Sequence, residues 1–229
     1  MSKPISNYYD AGKAHEAIQK GQHRAWVGGL WDEIGRLQGE FLRQQGLTPD
    51  MRVVDVGCGC FRGGVHLVEY LDPGRYYGID ISQELLDAGY DKEIAPRGLA
   101  AKLPRANLLC DAGFTATRFG VAFDMGLAQS VFTHLPFNHI RLCLTRLAPA
   151  FRVGGRFYAT AFIVPDDQDW TQPARIPNLD AHTHPTEDPY HYRVADFAYC
   201  VERLPWTFEF IGDWGHPRGQ RMLKFTRTG

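Results

Sequence analysis

The sequence lacks three features: long apolar runs, a regular cysteine spacing and blocks of like charge. No apolar stretch is long enough to cross a bilayer, and residues 1–7 lack the apolar segment of a signal peptide. The five cysteines are an odd number without framework spacing, which favours reduced thiols over disulfides. These absences predict a cytoplasmic protein that does not bind a membrane.

The charge balance argues against nucleic acid as a partner. There are 25 basic and 26 acidic side chains, and no run of Lys and Arg that could follow a phosphate backbone. The 229 residues are 44% hydrophobic, which suits one α/β domain with a sizeable core. We therefore expect a single globular domain whose partner is a small molecule.

Short apolar strands alternate with amphipathic helices between residues 51 and 164, which predicts parallel strands joined by helical crossovers. Within a domain spanning residues 1–229, this part forms the core. Residues 1–50 read as helices that either cover the core's ligand or pack as ordinary helices. Residues 165–193 are rich in proline and predict a lid or substrate loop without regular structure. Residues 194–229 predict a closing helix and hairpin.

Three carboxylates lie at the ends of three successive strands of the predicted core. Asp55 lies two residues before the turn containing Gly57 and Gly59, where a buried carboxylate would repel a pyrophosphate but suit a cationic ligand. Asp80 is placed to accept hydrogen bonds from ribose hydroxyls, and Asp111 to accept one from an adenine amino group. Although the glycine turn is typical of many nucleotide binders, the three acids together favour S-adenosylmethionine.

Five segments of the chain resemble the class I methyltransferase superfamily: residues 53–59, 77–80, 110–112, 123–135 and 147–157. The resemblance extends over nearly the whole chain. It implies a Rossmann-like α/β fold, with a seven-stranded mixed sheet, helices on both faces and an antiparallel last strand. It also implies S-adenosylmethionine as cofactor and S-adenosylhomocysteine as product. The implied cofactor-binding residues are Asp55, Gly57, Cys58, Gly59, Arg62, Asp80, Ile81, Asp111, Ala112, Gln129 and Ser130.

The chain departs from the family pattern at Phe61, where the family often has its third glycine. Gly63 and Gly64 follow instead. We expect the backbone near the methionine tail of the ligand to take a slightly different path, and Arg62 to meet the ligand carboxylate.

Methyl transfer is an in-line displacement at a sulfonium, so the enzyme mainly positions the nucleophile and controls its protonation. His134 follows the fourth strand of the core and is our candidate general base. The alternative is that His134 caps or orients the local helix. A histidine base favours oxygen over nitrogen as the methyl acceptor. Resemblance to stand-alone enzymes of this size suggests natural product biosynthesis.

The loop at residues 165–193 carries histidines and aromatic side chains that could bind an organic substrate. His182, His184 and His191 could also ligate a metal, but their spacing is not that of a dedicated zinc site, and we predict none. The candidate substrate residues are Trp170, His182, His184, Tyr190 and Tyr192.

Two other functions remain open. The glycine spacing imitates the loop of an NAD(P)-dependent oxidoreductase, although Asp55 argues against a pyrophosphate there. A non-catalytic module that binds S-adenosylmethionine would share every cofactor residue.

Overall fold

A mixed β-sheet forms the centre of the computed structural model, which describes residues 6, 8 and 11–229. The strands are β1 (Val53–Val56), β2 (Tyr76–Asp80), β3 (Leu108–Cys110), β4 (Phe123–Ala128), β5 (Phe151–Ile163), β6 (Ala174–Arg175), β7 (His182–Thr183), β8 (His191–Tyr192), β9 (Trp206–Gly212) and β10 (Arg221–Arg227). The α-helices are α1 (Ala11–Gln19), α2 (His23–Trp26), α3 (Trp31–Gln44), α4 (Gly64–Tyr70), α5 (Gln83–Gly89), α6 (Phe137–Leu147) and α7 (Val194–Cys200).

The strand order across the sheet is β3-β2-β1-β4-β5-β10-β9, and β8 adds a short pairing to the end of β5. Strands β1 to β5 run parallel, whereas β10 is antiparallel to both of its neighbours. The predicted Rossmann-like mixed sheet with an antiparallel last strand is confirmed. Since parallel strands end at the same edge, the residues after β1, β2 and β4 lie close together.

Side chains of the central strands alternate between two hydrophobic cores, one on each face of the sheet. Val54 and Val56 of β1 pack into one core with Phe123 and Phe157. Val53 packs into the other with Tyr158. Strand β1 is buried on both faces, as expected of a central parallel strand. The carboxylate of Asp55 in this strand is therefore removed from water.

Helix α5 begins as the sequence predicts, because the hydroxyl of Ser82 accepts a hydrogen bond from the amide of Leu85 at 3.2 Å. A π-helical turn at Tyr90–Ile94 continues it, which the pattern of residues did not indicate. Among the described residues, no helix is both long and apolar enough to span a membrane.

Residues 165–193 contain more regular structure than the predicted loop. Strands β6 and β7 form a small antiparallel pair, and β8 extends the main sheet beside β5. The sequence did not indicate these elements because each has only two residues, too few to show a periodic pattern.

Candidate active site

A cavity of about 1030 Å³, open to solvent, lies at the carboxyl ends of the parallel strands. His134 lines it, and so does every predicted cofactor-binding residue except Ala112. Strand topology explains why these residues lie together, since the residues that follow β1, β2 and β4 lie at one edge of the sheet. The cavity also has lining residues that the sequence did not single out: Ser6, Val27, Gln38, Phe114 and Leu135 are among them.

The turn after β1 requires glycine at two positions. Gly57 and Gly59 have φ angles of 71° and 55°, in the left-handed region that other residues rarely adopt. A Cβ atom on Gly57 would lie 2.4 Å from Cγ2 of Val131, and one on Gly59 would lie 2.9 Å from Cγ1 of Val27. Both glycines therefore let the backbone approach side chains that line the same cavity.

Phe61 adopts a left-handed conformation as well, with φ at 69°. This conformation costs a non-glycine residue about 1–2 kcal/mol. The ring is fully buried and packs edge to face on Tyr76, with centroids 6.2 Å apart. Burying such a ring contributes about 1.5–3 kcal/mol, enough to offset the strain. The turn thus keeps a left-handed residue at the position where the family often has glycine.

The carboxylate of Asp55 is buried beneath the turn, with 3% of the residue exposed. Its Oδ2 accepts a hydrogen bond from the Tyr76 hydroxyl at 2.7 Å. Burial, opposed by this hydrogen bond and reinforced by nearby Asp80, raises the pKa of Asp55 to about 7. Asp55 is therefore poised to ionise at neutral pH when a cation arrives beside it.

Asp80 ties the end of β2 to the glycine turn. Its Oδ2 accepts a hydrogen bond from the amide of Gly59 at 2.7 Å, and its Oδ1 accepts one from the amide of Ser82 at 2.9 Å. Burial raises the pKa of Asp80, and the backbone donors partly oppose that effect. Each oxygen retains a second lone pair, so the carboxylate can still accept hydrogen bonds from a ligand.

Asp111 organises the turn after β3. Its Oδ2 accepts hydrogen bonds from the amides of Gly113 and Thr115, at 3.1 and 2.8 Å. Its Oδ1 faces Arg118 at 3.9 Å. Asp111 thus lines the cavity while bracing its own loop, and its contact with an adenine stays a prediction.

Arg62 adds a buried cation to the lining of the cavity. One terminal nitrogen, Nη1, donates to the carbonyls of Val27 and Gly29, both at 2.9 Å, and Nη2 donates to Oε1 of Gln129 at 2.5 Å. The Nε–H is buried and has no hydrogen-bond partner among the described residues. Burial lowers the pKa of Arg62 to about 10, which leaves it charged at neutral pH. An unpaired donor on a buried cation fits a ligand carboxylate.

A polar network continues from Gln129 towards the closing hairpin. Oε1 of Gln220 accepts from the hydroxyls of Ser130 and Thr160, at 3.0 and 2.7 Å. The amide nitrogen of Gln129 lies 3.2 Å from Nε2 of His216. Burial, together with two nearby arginines, lowers the pKa of His216 to about 3, so the ring is neutral. Only the tertiary structure unites these residues, which are distant in sequence.

His134 also lines the cavity, from the 3₁₀ turn Phe132–His134 after β4. Its Nδ1 lies 2.5 Å from Oδ1 of Asp188, a residue of the proline-rich loop. The ring of Tyr8 packs edge to face against the imidazole, with centroids 4.8 Å apart. The structure therefore gives the candidate base a carboxylate partner that the sequence had not indicated.

The predicted substrate residues do not line this cavity. Tyr190 and Tyr192 are buried in the hydrophobic core, and the Tyr192 hydroxyl donates to the carbonyl of Leu135. Trp170 is 44% exposed, with the guanidinium of Arg193 over its ring. His182 is exposed on β7 and His184 is partly buried.

His191, considered for metal binding, uses both ring nitrogens inside the protein. Nδ1 is 2.8 Å from Oγ1 of Thr183, and Nε2 is 2.8 Å from the carbonyl oxygen of Trp170. In the part of the chain that the structure describes, no three His, Cys, Asp or Glu side chains are grouped so as to hold a metal ion.

Within residues 1–50, Gln38 of α3 and Val27, the residue after α2, line the cavity together with Ser6 and Tyr8. Tyr9, which belongs to the same segment, lies outside the described residues. The helices are held by Glu93, which is 1% exposed. Its carboxylate accepts hydrogen bonds from His23, Arg24 and Arg97, and we call these three side chains together with Glu93 the Glu93 cluster. Burial opposes its ionisation, but these partners outweigh burial and lower the pKa of Glu93 to about 2.

Comparison with known proteins supports the same family as the sequence motifs. No protein-family model matches the chain. A trans-aconitate 2-methyltransferase of Rhodopseudomonas palustris is 28% identical over 174 residues, which cover 76% of this chain. The chain spans 60% of that relative's length.

Solved structures share the fold. A magnesium protoporphyrin IX methyltransferase from Synechocystis, solved with bound S-adenosylmethionine, superimposes with a TM-score of 0.65 at 15% identity, covering all of both chains. An amino pentose methyltransferase from Micromonospora echinaspora, involved in calicheamicin biosynthesis, gives a TM-score of 0.63 at 14% identity, covering 94% of this chain and 97% of that one. The resemblance stated from the sequence is confirmed: the chain has the fold of the class I S-adenosylmethionine-dependent methyltransferases.

Proposed function

We propose that this protein transfers a methyl group from S-adenosylmethionine to a hydroxyl oxygen of a small organic molecule. One observation carries the proposal: three carboxylates at successive strand ends line the same cavity as a histidine that is paired with a fourth carboxylate. The similarity to methyltransferases of trans-aconitate and of an amino pentose supports a small acceptor, and the latter's role in calicheamicin biosynthesis supports one from specialised metabolism.

The residues present fit S-adenosylmethionine at both ends of the ligand. Asp80 would accept from the ribose hydroxyls and Asp111 from the adenine amino group, while Asp55 would face the cationic part of the ligand. The unpaired Nε–H of Arg62 would donate to the carboxylate. When bound, the cofactor supplies an electrophilic methyl group on a positively charged sulfur.

His134 would act on the acceptor. Its imidazole lines the cavity and would take the hydroxyl proton as the oxygen becomes nucleophilic. Tyr8 and Leu135 would exclude water on that side, because both line the cavity next to the imidazole. The loop at residues 165–193 would complete this wall through Asp188.

Ligand specificity separates this function from its alternatives. Asp55 leaves a buried carboxylate where an NAD(P)-dependent oxidoreductase would place a pyrophosphate. We expect S-adenosylhomocysteine to raise the melting temperature and nicotinamide dinucleotides to leave it unchanged. The reverse result would refute the cofactor assignment.

Turnover separates an enzyme from a binding module. Candidate acceptors are incubated with S-adenosylmethionine and screened by mass spectrometry for the gain of one methyl group. With an acceptor in hand, His134→Gln should lower kcat roughly 10²- to 10⁴-fold, because a general base contributes about that much. S-adenosylhomocysteine affinity should stay the same.

His139→Gln is the matched control, because His139 lies on the adjacent helix α6 and does not line the cavity. It should retain turnover. Full turnover in His134→Gln would remove His134 from the mechanism, and methylation at nitrogen would refute the oxygen assignment.

A further inference from the structure

We propose that Asp188 is a positioning residue for the base: it holds His134 in the tautomer that leaves Nε2 free to accept the acceptor's proton. This inference rests on the proposed function, because it assigns a role to Asp188 only if His134 takes a proton. The observation behind it is the short contact between Oδ1 of Asp188 and Nδ1 of His134, at 2.5 Å.

Donor and acceptor chemistry fixes the tautomer. An ionised carboxylate can only accept hydrogen bonds, so the proton between the two groups belongs to Nδ1 of His134. In the neutral ring Nε2 then carries a lone pair. Nε2 makes no hydrogen bond with the part of the protein that the structure describes, so it is available to a ligand in the cavity that His134 lines.

The charge of Asp188 is directed at His134. Within the described residues, His134 is its one side-chain hydrogen-bond partner, and the Asp188 side chain is 14% exposed. The neighbouring acid, Glu187, instead faces His184, with 4.0 Å between carboxylate and ring. Tyr8, in the N-terminal segment, packs edge to face against the imidazole.

The loop backbone holds Asp188 in place independently of this contact. The amide of Tyr190 donates to the carbonyl of Thr133 at 2.7 Å, and the Tyr192 hydroxyl donates to the carbonyl of Leu135. These two bonds reach the residues on either side of His134 in sequence. The buried Tyr190 and Tyr192 thus anchor the loop beside the 3₁₀ turn, which brings together two side chains 54 residues apart.

The arrangement suits a balanced methyl transfer. His134 Nε2 takes the hydroxyl proton, and the electron pair released on oxygen forms the bond to the methyl carbon. The bond between the methyl carbon and sulfur breaks, and its electron pair stays on sulfur. The products are a methylated oxygen and S-adenosylhomocysteine. The positive charge of the imidazolium that forms is stabilised by the carboxylate of Asp188 at hydrogen-bond distance, and the proton stays on the imidazolium.

The decisive variant is Asp188→Asn. An asparagine can donate to Nδ1 and so favour the opposite tautomer, in which Nε2 carries the proton. We expect kcat to fall roughly 10²- to 10⁴-fold, with the acceptor KM and S-adenosylhomocysteine affinity within about twofold of wild type. Asp188→Glu, which keeps the carboxylate, should restore part of kcat. In the His134→Gln background, Asp188→Asn should cause no further loss.

Two controls test the structural alternative, in which the pair only ties the loop to the turn. Glu187→Gln removes the same charge one residue away and should leave kcat unchanged. Tyr192→Phe removes an anchor of the loop without touching the pair, so its loss should be smaller than that of Asp188→Asn. Equal losses in Tyr192→Phe and Asp188→Asn would overturn the positioning role.

A spectroscopic readout needs no acceptor. The ¹⁵N shifts of the His134 ring, assigned by their disappearance in His134→Gln, should show Nδ1 protonated and Nε2 unprotonated in the wild type. In Asp188→Asn the pattern should invert. An unchanged tautomer, or full kcat in Asp188→Asn beside an inactive His134→Gln, would refute the role of Asp188 alone. Full activity in His134→Gln would instead refute the base assignment on which it rests. Should Asp188→Asn fail to fold, the wild-type shifts and Asp188→Glu decide the question.

Discussion

The raised pKa of Asp55 predicts that binding of S-adenosylmethionine releases a proton. In the free protein, burial raises the pKa of this carboxylate to about 7, from an ordinary value of 3.8. A cationic ligand beside Asp55 favours the ionised form and lowers the pKa again. Below neutrality, therefore, the ligand must displace a proton from Asp55 before the two charges can interact.

The size of the change in ligand affinity with pH follows from proton linkage. A carboxyl with a pKa of about 7 is roughly one-tenth ionised at about pH 6 and half ionised at about pH 7. If the bound pKa lies well below this range, affinity rises about fivefold over that interval, or ~1 kcal/mol. The interval stays below the range of about 7.7–8.0 in which a ligand α-amino group begins to lose its charge.

Isothermal titration calorimetry at several pH values, in buffers of different ionisation enthalpy, measures both the affinity and the protons released. Asp55→Asn is the key variant, since its amide oxygen can still accept the hydrogen bond from Tyr76 while no longer ionising. It should bind more weakly at neutral pH and show no proton release from this site. Tyr76→Phe removes the bond that opposes the rise in pKa, so it should move the midpoint to higher pH.

The pH dependence of the free protein's stability gives an independent check that the pKa of Asp55 is raised. Because the folded-state pKa of Asp55 lies above its unfolded value, this group's contribution to stability is complete below the unfolded pKa. It is lost as the pH rises towards about 7. Asp55→Asn should therefore flatten the fall in the free energy of unfolding over this range. Affinity independent of pH in the wild type, or the same pH dependence in Asp55→Asn, would refute the reasoning.

Two further predictions concern the anchoring of the N-terminal helices and the glycine turn. Glu93→Gln should lower the free energy of unfolding by about 3 kcal/mol in a denaturant titration, because it leaves the Glu93 cluster without its buried carboxylate. The control Glu84→Gln, at the exposed pair that Glu84 of α5 makes with His15 of α1, should change it by less than about 1 kcal/mol. Equal effects of the two variants would contradict the role assigned to Glu93. Gly57→Ala should fold less stably and lose the thermal shift caused by S-adenosylhomocysteine, because its Cβ would lie 2.4 Å from Val131 in a left-handed turn. A normal shift in that variant would show that the turn tolerates a side chain.

Local patterns were sufficient to predict the fold and the edge of the sheet that carries the cavity. Asp55 lies near the end of β1, Asp80 ends β2 and Asp111 directly follows β3, so strand alternation alone brings them to one edge. Ser82 likewise caps α5 as its position indicates. The departure at Phe61 was visible, but its left-handed φ and buried ring were not.

The proline-rich loop shows where sequence patterns were insufficient. Aromatic residues in a loop favour a substrate wall, yet Tyr190 and Tyr192 are buried in the core and anchor the loop instead. No periodicity distinguishes these roles, because each depends on which distant surface the loop meets. A carboxylate next to a proline in a histidine-rich segment was the sole signal for Asp188.

The sequence by itself determined the alternation of strands and helices and the acidic residues at the strand ends, since both arise from residues adjacent along the chain. The tertiary structure alone decided the partners of Arg62, which lie 35 and 67 residues away at Val27 and Gln129. It also decided the pairing of His134 with Asp188. Such contacts depend on how loops pack against the finished sheet, and loop packing is set by long-range burial and hydrogen bonding rather than by local propensity.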